Sequence, residues 1–71
     1  MKMIKVKSSN VEAIGYNPDT KELRVQFKGG AVYKYNEIPH IIFCKFITAE
    51  SYGNFLAENI KGKYEFKKLK G

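Results

Sequence analysis

The sequence predicts an α+β domain: a three-stranded antiparallel meander with two helices packed on one face and a short C-terminal strand. Two observations lead to this fold class. Apolar and polar residues alternate across residues 23–28 and again after Gly29-Gly30, which is the period of half-buried strands. After Pro39 the apolar residues recur at helical spacing instead. Because a sheet and amphipathic helices bury their apolar faces against each other, the two patterns predict two packed layers.

The predicted strands occupy the first half of the chain. Residues 11–16 form the first strand, and the turn Asn17-Pro18-Asp19 follows because Pro18 presets its φ and the Asx side chains bond nearby backbone. Residues 23–28 form the second strand, and Gly29-Gly30 predicts a two-residue hairpin into a third strand at 31–35. Alternation assigns Leu23, Val25, Phe27, Tyr33 and Tyr35 to the face under the helices, and Arg24, Gln26, Lys28, Val32 and Lys34 to the opposite face.

The predicted helices follow Pro39, which suits a first helical turn. Ser51 is the predicted N-cap of the second helix, and Gly62 is its predicted C-terminal cap. Gly53 inside this helix indicates close packing or a loose first turn. The helical stripes consist of Ile42, Phe43, Phe46 and Ile47, then Tyr52, Phe55, Leu56 and Ile60. Tyr64 and Phe66 alternate with charged neighbours, which predicts the short final strand.

Length and composition restrict the class of protein. Seventy-one residues suffice for one domain, 1–71, with a core at about 8–69. A single cysteine argues against a disulfide scaffold, and no apolar run approaches the roughly 20 residues of a membrane span. The apolar stretch near the start is too short for an export signal, so the expected compartment is the cytoplasm.

The net charge of +6 is concentrated at the two ends. Residues 1–7 carry three lysines, residues 61–71 carry five lysines against Glu65, and residues 8–60 are nearly neutral. Such a pattern is typical of basic arms around a neutral core, and equally of lysines that only keep the termini solvated. Which interpretation applies depends on whether the fold brings the ends beside the predicted basic face.

The chain resembles the KTSC domain family. The matching stretches are Ser9-Asn10-Val11 to Ile14-Gly15-Tyr16, Leu23 to Phe27, Val32-Tyr33-Lys34-Tyr35, Ile38-Pro39, Ala49-Glu50-Ser51, Gly53-Asn54-Phe55, Asn59-Ile60-Lys61 and Tyr64. The family occurs at the C-terminus of some lysyl-tRNA synthetases and as stand-alone bacterial and phage proteins. Lys61 and Lys63 stand where arginine is frequent in the family, so they meet a phosphate without bidentate geometry. The resemblance implies no established chemistry, and it implies RNA binding only by association.

The candidate binding residues are basic and aromatic. The basic candidates for a nucleic-acid-binding face are Arg24, Lys28, Lys34, Lys61, Lys63, Lys67 and Lys68. The alternative interpretation of this set is a solvated charged surface. Tyr33 and Tyr35 share a strand face and form either a stacking platform for bases or a half-buried pair under the helices.

No catalytic or metal-binding constellation is predicted, and no cofactor. His40 and Cys44 are spaced i, i+4, but a metal would find at most two soft ligands there. Cys44 is therefore expected to be a buried apolar residue and His40 a surface residue. The acidic residues are scattered and the serines have no adjacent base, so we do not expect an enzyme.

Two functions remain. The first is a non-catalytic module that binds nucleic acid, RNA or DNA, with RNA favoured. The second is a protein-interaction module, such as a small bacterial or phage factor that docks on a host protein through Val32 and the edge strands. An uncovered edge strand would also allow two copies to pair, so the oligomeric state stays open.

Overall fold

The computed structural model describes residues 2–71. Its strands and helices, in chain order, are β1 (Ile4–Lys5), β2 (Val11–Asn17), β3 (Glu22–Phe27), β4 (Val32–Tyr35), α1 (His40–Ile47), α2 (Tyr52–Phe55) and β5 (Phe66–Lys70). The α2 helix continues without a break into a π-helical segment, Leu56–Ile60. The α+β class and the final strand are thus confirmed, whereas the count of strands was too low.

The five strands form one antiparallel sheet in the order β1-β2-β3-β4-β5. The predicted meander is its centre, and the two ends of the chain form the edge strands. The N-terminal strand, β1, was missed by the sequence prediction. It is two residues long and pairs Ile4 with Ile14 and Lys5 with Ala13. The fold therefore brings both lysine-rich ends of the chain into the sheet.

The helices cover one face of the sheet, as the alternation predicted. Buried residues of the central strands pack with buried residues of α1 and the π-helical segment. This core cluster consists of Val11, Ile14, Leu23, Val25, Tyr35, Ile38, Phe46, Leu56 and Ile60. We call this side of the sheet the inner face and the opposite side the open face.

The turns explain where the strands end. The Asn17 side-chain oxygen accepts a hydrogen bond from the Asp19 backbone N–H at 2.9 Å, which is the predicted Asx turn. Gly29 and Gly30 have φ of 101° and 102°, values that a β-carbon would disfavour. The Phe27 N–H donates to the Ala31 carbonyl at 2.8 Å, so the loop comprises residues 28–30 instead of the two glycines alone.

The second helix begins and ends as predicted. The Ser51 hydroxyl accepts a hydrogen bond from the Asn54 N–H at 3.3 Å, which caps the first turn. A β-carbon at Gly53 would lie 3.4 Å from the Asn10 side-chain nitrogen, which is ordinary van der Waals contact, so packing does not require a glycine there. The Lys61 N–H donates to the Leu56 carbonyl at 2.8 Å, and Gly62 then turns the chain with φ of 78°. This turn directs the chain back to β5.

Candidate nucleic-acid interface

The open face carries a basic cluster that the strand register assembles. Across three neighbouring strands, Arg24 pairs with Lys34 and Lys34 pairs with Lys67. Adjacent strands lie about 4.8 Å apart, so these three side chains form a continuous row of positive charge. Three of the seven predicted basic residues are therefore neighbours on one face.

Two further lysines lie on the same face in the neighbouring cross-strand row, one on each edge strand. Lys5 pairs with Ala13 on β2, and Lys70 pairs with Val32 on β4. A β-bulge in the β4–β5 pairing, between Val32 and Tyr33, shifts the register so that Lys70 shares the open face with Lys67. The open-face cluster, as we use the term, consists of Lys5, Arg24, Lys34, Lys67 and Lys70.

One carboxylate partly offsets this cluster. Glu22 accepts a hydrogen bond from the Arg24 side-chain nitrogen, and the pair is partly exposed, with 40% of the Arg24 side chain accessible. An exposed ion pair of this kind contributes little to stability. Because a guanidinium carries five donors, Arg24 keeps others for a phosphate while it is paired with Glu22.

Lys28 is not on the open face, contrary to the prediction. Strand β3 ends at Phe27, and the Lys28 N–H donates to the Asn10 carbonyl at 2.8 Å. Lys28 lines a depression on the helix side with Asn10, Gly53 and Lys61. Strict alternation failed here because the hairpin loop already begins at residue 28.

The other predicted lysines also lie on the helix side. A groove of about 510 Å³ lies beside the turn after the π-helical segment, lined by Phe27, Ala31, Tyr33, Tyr35, Lys61, Gly62 and Phe66. Lys68 is the cross-strand partner of Tyr33 and so faces this side. Lys63 borders a neighbouring depression that shares Gly62 and Phe66 with the groove. The seven predicted residues thus divide between two sides of the sheet and do not form one patch.

The two tyrosines of the predicted platform have different environments. Tyr35 is 2% exposed and belongs to the core cluster, whereas Tyr33 is only half-buried. Burial raises the pKa of the Tyr35 hydroxyl above its usual 10, and the neighbouring Tyr33 adds to the shift. Tyr35 is therefore neutral at physiological pH and forms the buried floor of the groove. The ring of Tyr33 lies on the wall of the groove and is accessible.

Two members of the open-face cluster and two aromatic groove residues were not predicted from the sequence. Lys5 and Lys70 were overlooked, although the alternation of Ile4 and Val6 with lysines is a strand signal. Phe27 was assigned to the helix-covered face, and Phe66 only to the final strand. No signal in the sequence shows which strands the helices cover, so the 59% exposure of Phe66 was not predictable.

The His40–Cys44 pair lies apart from both surfaces, near Tyr16. The Cys44 sulfur is 3.8 Å from His40 Nδ1, and Cys44 is half-buried where full burial was expected. His40 is on the surface, as predicted. Burial raises the pKa of Tyr16, with a smaller contribution from Cys44. Within residues 2–71, no three His, Cys, Asp or Glu side chains are grouped to hold a metal.

The alternative of protein docking through Val32 and the edge strands now involves different strands. Val32 is half-buried on β4, which pairs with strands on both sides, so it is not at an edge. The edges are β1 and β5, and all five residues of β5 are exposed. Among the residues described, none belongs to a helix long and apolar enough to cross a membrane.

Comparison with known proteins relates the whole fold to one family. The family model of the KTSC domain matches residues 7–64. A protein of Tsukamurella paurometabola is 41% identical over 59 residues, which are 83% of this chain and 88% of that protein. A lysine–tRNA ligase of a Nostoc species is 28% identical over 67 residues, which are 94% of this chain but 12% of that enzyme. The crystal structure of a KTSC domain protein from Yersinia pestis is similar with a TM-score of 0.90 and 36% identity, covering 96% of each chain.

Proposed function

The chain belongs to the KTSC domain family, and we propose that it is a non-catalytic module that binds nucleic acid, RNA in preference to DNA. The observation that carries this proposal is the strand register, which gathers the five cations of the open-face cluster on the side that the helices leave free. Lysine and arginine side chains on one surface neutralise a phosphate backbone without reading base sequence. The expected contact is therefore electrostatic and tolerant of sequence.

The preference for RNA rests on similarity to another protein and is less well supported than nucleic-acid binding itself. The Nostoc lysine–tRNA ligase, whose name specifies an RNA substrate, contains a region similar to nearly all of this chain.

A salt series tests the proposal. With three to five phosphates contacted on a single strand, log Kd for labelled RNA should change against log salt with a slope of magnitude about 2 to 3.5. The double substitution Lys34→Ala/Lys67→Ala removes two contacts and should reduce that slope by about 1.4, whatever the base sequence. Fluorescence anisotropy measures both quantities.

A matched control separates the open-face cluster from net charge. Lys2→Ala/Lys45→Ala removes the same charge on the helix side, since Lys45 is on α1 and Lys2 borders a depression with His40 and Phe43. This control should bind nearly as wild type. Equal loss in the two double variants, or no RNA binding at low salt, contradicts the proposal.

A protein partner is the second candidate. It is favoured by the exposed edges β1 and β5, where Ile4 and Phe66 are each 59% exposed and unpaired backbone groups can receive another strand. A crosslinking pull-down from the native cell, with and without nuclease, distinguishes the two. A protein captured equally after nuclease treatment and at moderate salt supports this candidate against the first.

A further inference from the structure

We propose that the groove between β5 and the turn after the π-helical segment holds an unpaired base, so that the domain selects single-stranded nucleic acid. This inference rests on the proposed function and specifies its ligand. The open-face cluster by itself would bind single and double strands alike, because both present phosphates. The groove has the chemistry that distinguishes them.

The groove walls provide accessible aromatic rings. The Tyr33 ring lies 5.8 Å from that of Phe66 and 5.6 Å from that of Phe27, measured between centroids. Phe66 is 59% exposed, which is a large exposed fraction for a phenylalanine in a sheet. Every base has an apolar π-face, and stacking on an aromatic side chain is a common way in which proteins hold unpaired bases.

Positive charge borders the same rings. The Lys61 ammonium lies 5.9 Å above the Phe27 ring centroid, in a cation–π contact. Lys68 is the cross-strand partner of Tyr33, and Lys28 lines the adjoining depression together with Lys61. An apolar cleft with aromatic walls and a cationic rim is complementary to a flat aromatic group that carries an anion. A nucleotide in a polynucleotide chain has both.

The groove and the open-face cluster meet at the exposed edge of β5. Phe66 pairs with Tyr35 on the inner face, while the next residue, Lys67, pairs with Lys34 on the open face. A chain whose phosphates contact Lys67 can therefore pass over this edge and insert a base beside Phe66. Only a flexible strand can follow such a path, because in a duplex the bases are stacked and paired.

The groove volume fits one such group. About 510 Å³ lies within the roughly 300–1,000 Å³ of small-ligand sites, and the groove opens to solvent at the edge strand. The aromatic rings alone would suit many apolar ligands. The three neighbouring lysines are what favour a nucleotide over an uncharged ligand.

The test compares the effect of one aromatic substitution on single-stranded and on duplex ligands. Labelled single-stranded RNA, single-stranded DNA of the same sequence and duplex RNA are titrated with wild type and with Phe66→Ala. We expect Phe66→Ala to weaken single-strand binding by about tenfold and to leave duplex binding unchanged. Phe66→Tyr should restore single-strand binding, because it keeps the ring.

Control variants distinguish the loss of the aromatic ring from a loss of the native fold. Leu69→Ala removes a 41%-exposed apolar side chain from the same strand and should leave both affinities unchanged. Lys61→Ala changes an exposed side chain outside the core and should weaken single-strand binding by about threefold, so the inference is testable even if Phe66→Ala does not fold. Circular dichroism and urea unfolding confirm the native state of each variant.

The outcomes separate this inference from the proposed function. If Phe66→Ala and Lys61→Ala bind single strands as wild type does, the groove inference is overturned, while a loss in Lys34→Ala/Lys67→Ala still supports the proposed function. If wild type binds duplex as tightly as single strand, selection by the groove is likewise refuted. If no nucleic acid binds at low salt, both fail.

Discussion

The inner face of the sheet has two regions that contain similar residues in different environments. Under the helices, Ile14, Leu23 and Val25 are at most 2% exposed, and Phe46 of α1 packs on them with no exposed surface. Toward β5, on the same face, Phe66 is 59% exposed. We call the first the covered region and the second the β5 region. Both present apolar rings and chains on one side of one sheet.

This difference shows how a small domain allocates its apolar residues. Two short helices cover the central strands, and the fifth strand extends past them. Aromatic residues beyond the reach of the helices cannot contribute fully to the core, but they remain available to a ligand. The covered region should therefore determine stability, and the β5 region should determine binding.

The largest expected effect compares the same substitution in the two regions. Phe46→Ala should cost about 3–5 kcal/mol, because it opens a cavity in the core. At roughly 0.05–0.15 kcal/mol per residue, a chain of 71 residues has about 4–11 kcal/mol in total, so this variant should lose about a quarter or more of its stability. Phe66→Ala should cost less than about 1 kcal/mol. Urea unfolding at neutral pH measures both, and similar costs would refute the division into two regions.

Removal of the Tyr16 hydroxyl should have an intermediate effect. The Tyr16 hydroxyl donates to the carbonyl of the buried Ile38 at 2.6 Å, and the Tyr16 ring stacks on Phe43 at 4.4 Å. Tyr16→Phe leaves that carbonyl without its donor and should cost about 1–2 kcal/mol. The Tyr35 hydroxyl differs, because it donates no hydrogen bond to the described residues. No buried side-chain polar atom among these residues lacks a partner, so the Tyr35 hydroxyl is not fully buried and contacts water.

Tyr35→Phe is the matched control for the Tyr16 prediction. Because its hydroxyl exchanges one water contact for another on unfolding, its removal should change the unfolding free energy by less than about 0.5 kcal/mol. Chemical denaturation of both variants at pH 7 gives the comparison. A cost for Tyr35→Phe equal to that for Tyr16→Phe would show that the Tyr35 hydroxyl also makes a stabilising hydrogen bond.

Much of the covered region was predictable from the sequence. The alternation around Leu23 and Val25, the helical period around Phe46, and the cap at Ser51 are local patterns that act within a few residues. Each was confirmed because the core cluster satisfies local preference and burial together. These are the positions at which the sequence constrains the structure most strongly.

The β5 region was predicted less well, for a physical reason. Its position depends on pairing between residues more than 30 positions apart, such as Tyr33 with Lys68, which no local pattern encodes. The bulge that turns Lys70 to the open face is likewise a property of the pair of strands. Lys28 was assigned to the wrong side because the loop begins one residue earlier than alternation implies.

The smallest expected effect is a change in stability caused by two like charges on β4 and β5. Lys34 and Lys67 are directly opposite on neighbouring strands, and like charges in such a pair destabilise a sheet. Lys67→Gln should therefore stabilise the protein by about 0.2–0.5 kcal/mol at low salt, and the gain should vanish near 1 M salt, where the Debye length is about 3 Å. Lys68→Gln, opposite Tyr33, should give no such gain. Thermal unfolding at two salt concentrations measures these differences.

If Lys67→Gln also weakens RNA binding, the wild-type lysine lowers stability at the position where it favours a ligand. That combination is expected of a binding residue, because the loss of a lysine that only keeps the surface solvated would not weaken RNA binding. Equal stability of Lys67→Gln and Lys68→Gln at both salt concentrations would show that the open-face cluster is not under electrostatic strain. The β5 region would then differ from the covered region by exposure alone.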